Sequence, residues 1–165
     1  MLISSPSPQG SSKPIKRDQY LNWIRDLAQW SHAVTLTFSK SKEGFPTSEK
    51  EVLRRCRLFL SRLNSKIYGR HGVRRKGHRI GSIAFLGNGV YGDHPHVHWI
   101  LTSPREYHHN DYSALLCHIA STTAGIAPQM KIEEYRGCKW INYLLDHGFE
   151  AWQAQLTRTP KFPQN

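Results

Sequence analysis

Three histidines alternate along one short segment of this chain, at a spacing that could hold a metal ion. They are His94, His96 and His98. In a β-strand alternate side chains point to the same face, so the three imidazoles would share one side, with Val97 and Trp99 on the other. Imidazole nitrogens fixed on a rigid strand suit a divalent metal. The segment therefore predicts a metal site on a sheet, against the plainer alternative of surface imidazoles on an edge strand.

The rest of the chain predicts the elements that would position these histidines. Hydrophobic periodicity predicts helices over 17–31, 48–68, 111–123 and 139–152, and strands over 33–38, 80–86, 95–102 and 129–135. Ser48 and Glu51 form a capping-box pattern at the start of the second helix. We expect residues 1–16 to be a disordered leader, 17–155 a single domain, and 156–165 a polar tail.

The order of these elements indicates an α+β fold. After the leading helix it reads β-α-β-β-α-β, followed by one more helix, which is the ferredoxin-like split βαβ arrangement. We expect a four- to five-stranded antiparallel sheet with helices on one face. The opposite face would then be free to carry a site.

Composition limits the partners. The formal net charge is +11, which favours an acidic partner, with nucleic acid first and an anionic membrane second. The sequence has no apolar run of the length that spans a membrane, so no membrane-spanning segment is expected, and nucleic acid rather than a membrane is the expected partner. Cys56, Cys117 and Cys138 are widely spaced and odd in number, which favours free thiols in a reducing compartment.

Three motifs follow one another in a recognisable order. The run Thr35–Phe38 lies on the first predicted strand of the sheet, His96-Val97-His98 on the third, and Asn142–Gly148, with Tyr143, on the last helix. In this order and spacing they resemble the HUH endonucleases, most closely the replication-initiator (Rep) nuclease domains of small circular single-stranded DNA viruses, phages and rolling-circle plasmids. The resemblance covers roughly residues 33–148.

The resemblance implies a function and a set of site residues. His96 and His98 would bind Mn²⁺ or Mg²⁺, with Zn²⁺ as an alternative, and Tyr143 would attack the scissile phosphate to form a 5′-phosphotyrosine. The helix that carries the nucleophile would lie beside the metal site. Many Rep proteins have a glutamate ligand on the preceding strand; this chain has none there, so His94 or Asn88 would be the third ligand.

A second difference from the family concerns the charge near the nucleophile. Rep proteins with a single tyrosine usually have a lysine three residues after it, whereas this chain has Asp146. Lys139, one turn earlier, could supply the positive charge. The alternative role for Tyr143 is that of a core aromatic residue. Tyr135 is the next candidate nucleophile.

The basic residues predict a surface that follows DNA phosphates. The expected contacts are Arg54, Arg70, Arg74, Arg75, Lys76, Arg79 and Lys139, with base stacking on Tyr91, Trp99 or Tyr107. The alternative is a solvated charged face. The basic segment 69–77 is predicted to be a loop.

These expectations combine into one functional hypothesis with two rivals. The hypothesis is site-specific nicking and rejoining of single-stranded or hairpin origin DNA at the start of rolling-circle replication, in the bacterial cytoplasm or in the host nucleus of a eukaryotic virus. No G-x-x-x-x-G-K-[ST] phosphate loop is present, so a host helicase or a further part of a longer protein would unwind the DNA. The rivals are a single-tyrosine transposase or relaxase, and a non-catalytic ferredoxin-like nucleic-acid-binding module.

Overall fold

The computed structural model describes residues 2–3, 17–39, 48–87 and 95–155. This part of the chain forms four helices and six strands, which in chain order are β1 (Leu2–Ile3), α1 (Arg17–Leu27), β2 (His32–Phe38), α2 (Glu49–Arg74), β3 (Ser82–Gly87), β4 (His96–Leu101), α3 (His109–Ser121), β5 (Ile126–Glu134), α4 (Cys138–Asp146) and β6 (Phe149–Gln155). The predicted cap starts α2, because the Ser48 hydroxyl accepts a hydrogen bond from the Glu51 N–H at 3.3 Å.

The strands form one open antiparallel sheet in the order β1-β6-β3-β4-β2-β5. Within it, β3, β4, β2 and β5 have the neighbours expected of a split βαβ unit, with β4 and β2 in the centre. The α+β prediction is confirmed, and the sheet is compatible with a ferredoxin-like fold. β6 and the two-residue β1 extend it beyond β3.

Helices α2 and α3 cover one face of the sheet. Val97 and Trp99 of β4 point into this layer, where the Trp99 ring meets Phe59 of α2 edge to face, with ring centroids 5.4 Å apart. The predicted alternation along β4 is therefore confirmed. A stacking role for Trp99 is wrong, because this side chain is only 2% exposed.

Helices α1 and α4 pack on the other face. Only the helix of Tyr143 was expected beside the metal site there, so the position of α1 differs from the prediction. Ile24 of α1 and Ile141 and Leu144 of α4 form a second buried cluster with Phe85 and Ile100 of the sheet. The sheet presents apolar side chains on this face as well, and the apolar sides of both helices need cover from water. The histidines of β4 share this face with α4.

The C-terminal segment also differs from its prediction. The helix expected over 139–152 ends at Asp146, where Gly148 adopts a left-handed conformation (φ 74°) and the chain turns into β6. β6 pairs with β3, and β1 pairs with β6, so the disorder predicted for 1–16 does not hold for Leu2–Ile3. Residues 4–16 and the predicted tail 156–165 lie outside the described residues.

Helix α2 is longer than predicted and takes in part of the basic segment. It kinks at Gly69 (φ 67°, ψ 165°), a left-handed value that glycine adopts without steric cost, and then continues to Arg74. In the loop predicted over 69–77, only Gly69 and the residues after Arg74 therefore lie outside regular helix. No helix in the described ranges is long and apolar enough to cross a membrane.

Candidate metal and nucleophile site

His96 and His98 lie side by side on β4, a central strand. Their ring centroids are 5.2 Å apart and the ring planes are nearly perpendicular, at 83°. Both side chains are partly exposed, whereas Val97 between them is fully buried on the other face. The plain alternative of imidazoles on an edge strand is therefore wrong. The period of two along the strand brings two nitrogen ligands to one point of the sheet.

A threonine of the neighbouring strand holds one of the histidines. Thr35 of β2 is opposite His98 in the antiparallel register, and its hydroxyl oxygen lies 2.9 Å from His98 Nδ1. With Nδ1 engaged, Nε2 is the nitrogen left for another partner. Metal-binding histidines commonly use their second nitrogen in this way, which fixes the orientation of the ring. The sequence identified Thr35 only as part of a motif, without this role.

Aromatic rings and a lysine surround His98. The rings of Phe149 and Trp140 lie edge-on to it, with centroids at 4.7 Å and 5.9 Å. The pKa of His98 is lowered to about 4, first by burial and then by the charges of His96 and Lys131. His98 is therefore neutral at pH 7, which is the form that binds a metal.

The donor set suits a divalent ion but has two protein ligands in the described residues. No group of three or more His, Cys, Asp or Glu side chains that could hold a metal occurs within them. The predicted third ligands, His94 and Asn88, lie outside the described residues. Two imidazoles on a rigid strand match the nitrogen ligands that Mn²⁺ and Zn²⁺ accept.

Tyr143 is exposed on α4, the helix that packs beside the histidines. Its side chain is 54% exposed, while Ile141 and Leu144 of the same helix are fully buried. The alternative of a core aromatic residue is thus wrong for this tyrosine. Trp140, which contacts His98, lies three residues earlier, close to one helical turn from Tyr143.

A histidine at the end of α4 lies against this tyrosine. The ring centroids of Tyr143 and His147 are 4.1 Å apart, and His147 Nδ1 lies 2.7 Å from the Tyr143 carbonyl oxygen. A carbonyl only accepts hydrogen bonds, so Nδ1 carries the proton in this contact. In the neutral ring Nε2 then has the free lone pair and can accept a proton.

The other tyrosines suit nucleophilic attack less well. Burial raises the pKa of Tyr135 to about 12, so its phenol is harder to ionise than an ordinary one. Tyr112 is fully buried in the α2–α3 layer, and the Tyr107 ring packs against it. Both therefore lie on the face opposite to His98.

Arg17 of α1 binds Asp146, the residue three positions after Tyr143. Its guanidinium lies 2.7 Å from a carboxylate oxygen of Asp146, and it donates to the Asn142 side chain at 2.8 Å and to the Asn142 carbonyl at 3.1 Å. The hydrogen bond from Arg17 lowers the pKa of Asp146. No sequence pattern indicates this contact, because 129 positions separate the two residues.

The predicted DNA contacts are spread over the molecule. Arg54 makes two hydrogen bonds to the Glu51 carboxylate, and Arg79 donates to the carbonyls of Val73 and His78. Arg54 is nevertheless exposed. The other exposed cations of the set are Arg70, Arg74, Arg75 and Lys76, around the end of α2, and Lys139 on α4. The end of α2 precedes the start of β3, whereas His96 stands near the far end of β3, so the structure does not bring this cluster to the histidines.

Comparison of the chain with protein-family models, with curated proteins and with solved structures found no match. The geometry of the described residues is therefore the basis for a functional proposal.

Proposed function

We propose that this protein is a metal-dependent endonuclease of the HUH type, which nicks and rejoins single-stranded DNA through a 5′-phosphotyrosine. One observation carries the proposal: His96 and His98 share a sheet face with α4, the helix that exposes Tyr143. A metal-binding pair without a nearby nucleophile would not favour this chemistry.

The two histidines would hold a divalent ion, Mn²⁺ or Mg²⁺, with Zn²⁺ as the alternative. When bound, such an ion polarises a phosphodiester and neutralises charge in the transition state. The chain contributes the ligand geometry: Thr35 orients His98, and Phe149 and Trp140 restrict the access of water to its ring.

Tyr143 would be the nucleophile. Its phenol oxygen forms a bond to phosphorus as the bond from phosphorus to the 3′ oxygen breaks, and that oxygen takes a proton from solvent water and leaves as a 3′-OH. The phenol proton goes to Nε2 of His147, the nitrogen left free by the contact of Nδ1 with the backbone. Attack by a 3′-OH on the phosphotyrosine reverses these steps and rejoins the strand.

The charge of Arg17 supports a phosphate near this helix. Without Arg17, the Asp146 carboxylate would repel DNA close to the nucleophile. The ion pair compensates that charge. Lys131, whose charge also acts on His98, pairs with Glu133 at 3.1 Å, so Arg17 is the cation that offsets Asp146 here.

The biological setting we propose is the start of rolling-circle replication, with origin DNA as substrate and a host helicase as a partner. The test is incubation with a panel of single-stranded and hairpin oligonucleotides in Mn²⁺, followed by denaturing electrophoresis. We expect a covalent protein–DNA adduct that EDTA and His96→Ala abolish, while DNA binding persists. DNA binding with no adduct from any substrate would instead favour the non-catalytic binding module.

A further inference from the structure

An open groove runs between α2 and α3, in the helix layer on the sheet face opposite to the histidines. Its lining is mainly hydroxyl and basic and includes Ser61, Arg62, Ser65, Lys66, Arg70 and His118. The α2 residues among them are exposed, apart from the half-buried Ser65. The groove is thus separate from the candidate metal site.

The cations of the groove follow the axis of α2. Arg62 and Lys66 are four residues apart before the kink, so they share one side of α2 with a rise of about 6 Å, and Arg70, just beyond the kink at Gly69, lines the same groove. Ser61 and Ser65 repeat at the same interval beside them. The groove therefore presents a row of positive charges with hydroxyl donors beside it.

No carboxylate neutralises this row among the described residues. The lining of the groove contains no Asp or Glu, and the ion pairs formed within the described ranges do not involve Lys66 or Arg70. Arg62 donates to the Thr122 carbonyl of the turn after α3, which positions its guanidinium and leaves its charge uncompensated. Arg54, which precedes these cations on α2, is different because the Glu51 carboxylate forms an ion pair with it.

We propose that this groove binds the phosphate backbone of DNA, as a second contact separate from the histidine face. Arg, Lys and Ser side chains are the groups that contact phosphate oxygens in protein–DNA complexes. The lining contains no Phe, Trp or Tyr on which a base could stack, so the contact is to the backbone and is independent of sequence. The inference rests on the proposed function only for the identity of the polyanion as DNA.

Such a contact would hold the DNA that flanks a cut. A strand whose phosphodiester has been broken at Tyr143 stays on the protein through the covalent link, but the segment with the free 3′-OH has no such link. A second, sequence-independent contact with the substrate keeps the two DNA ends near each other for rejoining.

The test compares two charge-matched double variants of the full chain. Lys66→Gln/Arg70→Gln removes two groove cations, and Lys50→Gln/Arg25→Gln removes two exposed cations elsewhere on α2 and α1. Binding of long single-stranded and hairpin oligonucleotides is measured in EDTA across a series of salt concentrations. Thermal unfolding of each variant checks that the fold is retained.

We expect the slope of log K against log salt to fall by about 1.4 for the groove variant on single strands, since each lost phosphate contact removes about 0.7. The control variant should keep the slope of the wild type. Equal changes in both variants would show that only net charge matters and would overturn the proposal. Loss of binding to phosphatidylserine vesicles with an unchanged DNA slope would overturn it in favour of a lipid surface.

The same measurements separate this inference from the nuclease. Because binding is measured without metal, a wild-type protein that forms no adduct with any oligonucleotide contradicts the nuclease alone. An unchanged salt slope for the groove variant contradicts only the proposal that the groove binds DNA.

Discussion

The hydroxyl of Thr35 lies 2.9 Å from Nδ1 of His98, across the central pair of strands β2 and β4. This contact joins the strand motif Thr35–Phe38 to the histidine motif His96–His98. It gives the threonine a physical role, which is to fix one ligand before a metal arrives.

Thr35→Val keeps the size of the side chain and removes the hydroxyl. We expect Mn²⁺ affinity to fall by about 10- to 100-fold, because His98 loses the partner that orients its ring. Isothermal titration calorimetry measures this directly. Thr37→Val is the matched control, since Thr37 is opposite His96 on the same strand. Equal affinities for both variants and the wild type would contradict the role assigned to Thr35.

Tyr143→Phe removes only the phenol oxygen of an exposed ring. We expect the covalent adduct to disappear. The free energy of unfolding should change by less than about 0.5 kcal/mol, because the ring is exposed and contributes little to the core. Electrophoresis and denaturant unfolding measure the two quantities. Tyr135→Phe is the control and should still form the adduct. Peptide mapping that places the DNA on Tyr135 would refute the assignment of the nucleophile.

Arg17→Ala leaves the Asp146 carboxylate uncompensated next to the proposed nucleophile. We expect adduct formation to slow by several-fold in rapid-quench measurements, through repulsion between Asp146 and the phosphate. Adding Asp146→Asn should restore the rate, which a loss of folding alone would not allow. Arg25→Ala, on the same helix, is the control. A double variant as slow as Arg17→Ala would show that Arg17 acts in another way.

Glu51 gives the fold a dependence on pH. Hydrogen bonds from Arg54 and Arg55 lower its pKa to about 2, against an ordinary value of 4.5. A depressed carboxyl pKa stabilises the folded state above the ordinary value, and this contribution is lost as the pH falls from about 4.5 towards 2. Arg55 also donates to the carbonyls of Ser39 and Gly125, so the pair ties α2 to two neighbouring turns.

Glu51→Gln should therefore lower the free energy of unfolding at pH 7, by about 1 kcal/mol or less because the pair is partly exposed to solvent. The difference from the wild type should shrink as the pH falls from about 4.5 to 2, as urea unfolding at several pH values would show. Glu49→Gln, in the same helical turn, is the control. A difference that stays constant down to pH 2 would contradict the assignment.

Local patterns in the sequence determined the elements around the site. The period of two placed His96 and His98 on one face of β4 and Val97 and Trp99 on the other, because a strand alternates its side chains whatever its neighbours are. A capping-box pattern, which is also local, predicted the start of α2 at Ser48. The order of strands and helices favoured the split βαβ arrangement, since few other antiparallel arrangements connect them without crossing.

Long-range contacts were beyond this reasoning. Residues 149–152 of β6 were predicted as helix because the pairing of β6 with β3, which decides its conformation, joins segments far apart in sequence. The packing of α1 and α4 on the second face, the contact of Thr35 with His98, and the ion pair between Arg17 and Asp146 likewise join distant residues. The sequence by itself determined which residues could do chemistry and on which strand face two of them lie. Only the tertiary structure decided what surrounds them, because burial and charge compensation depend on segments that meet only when the chain folds.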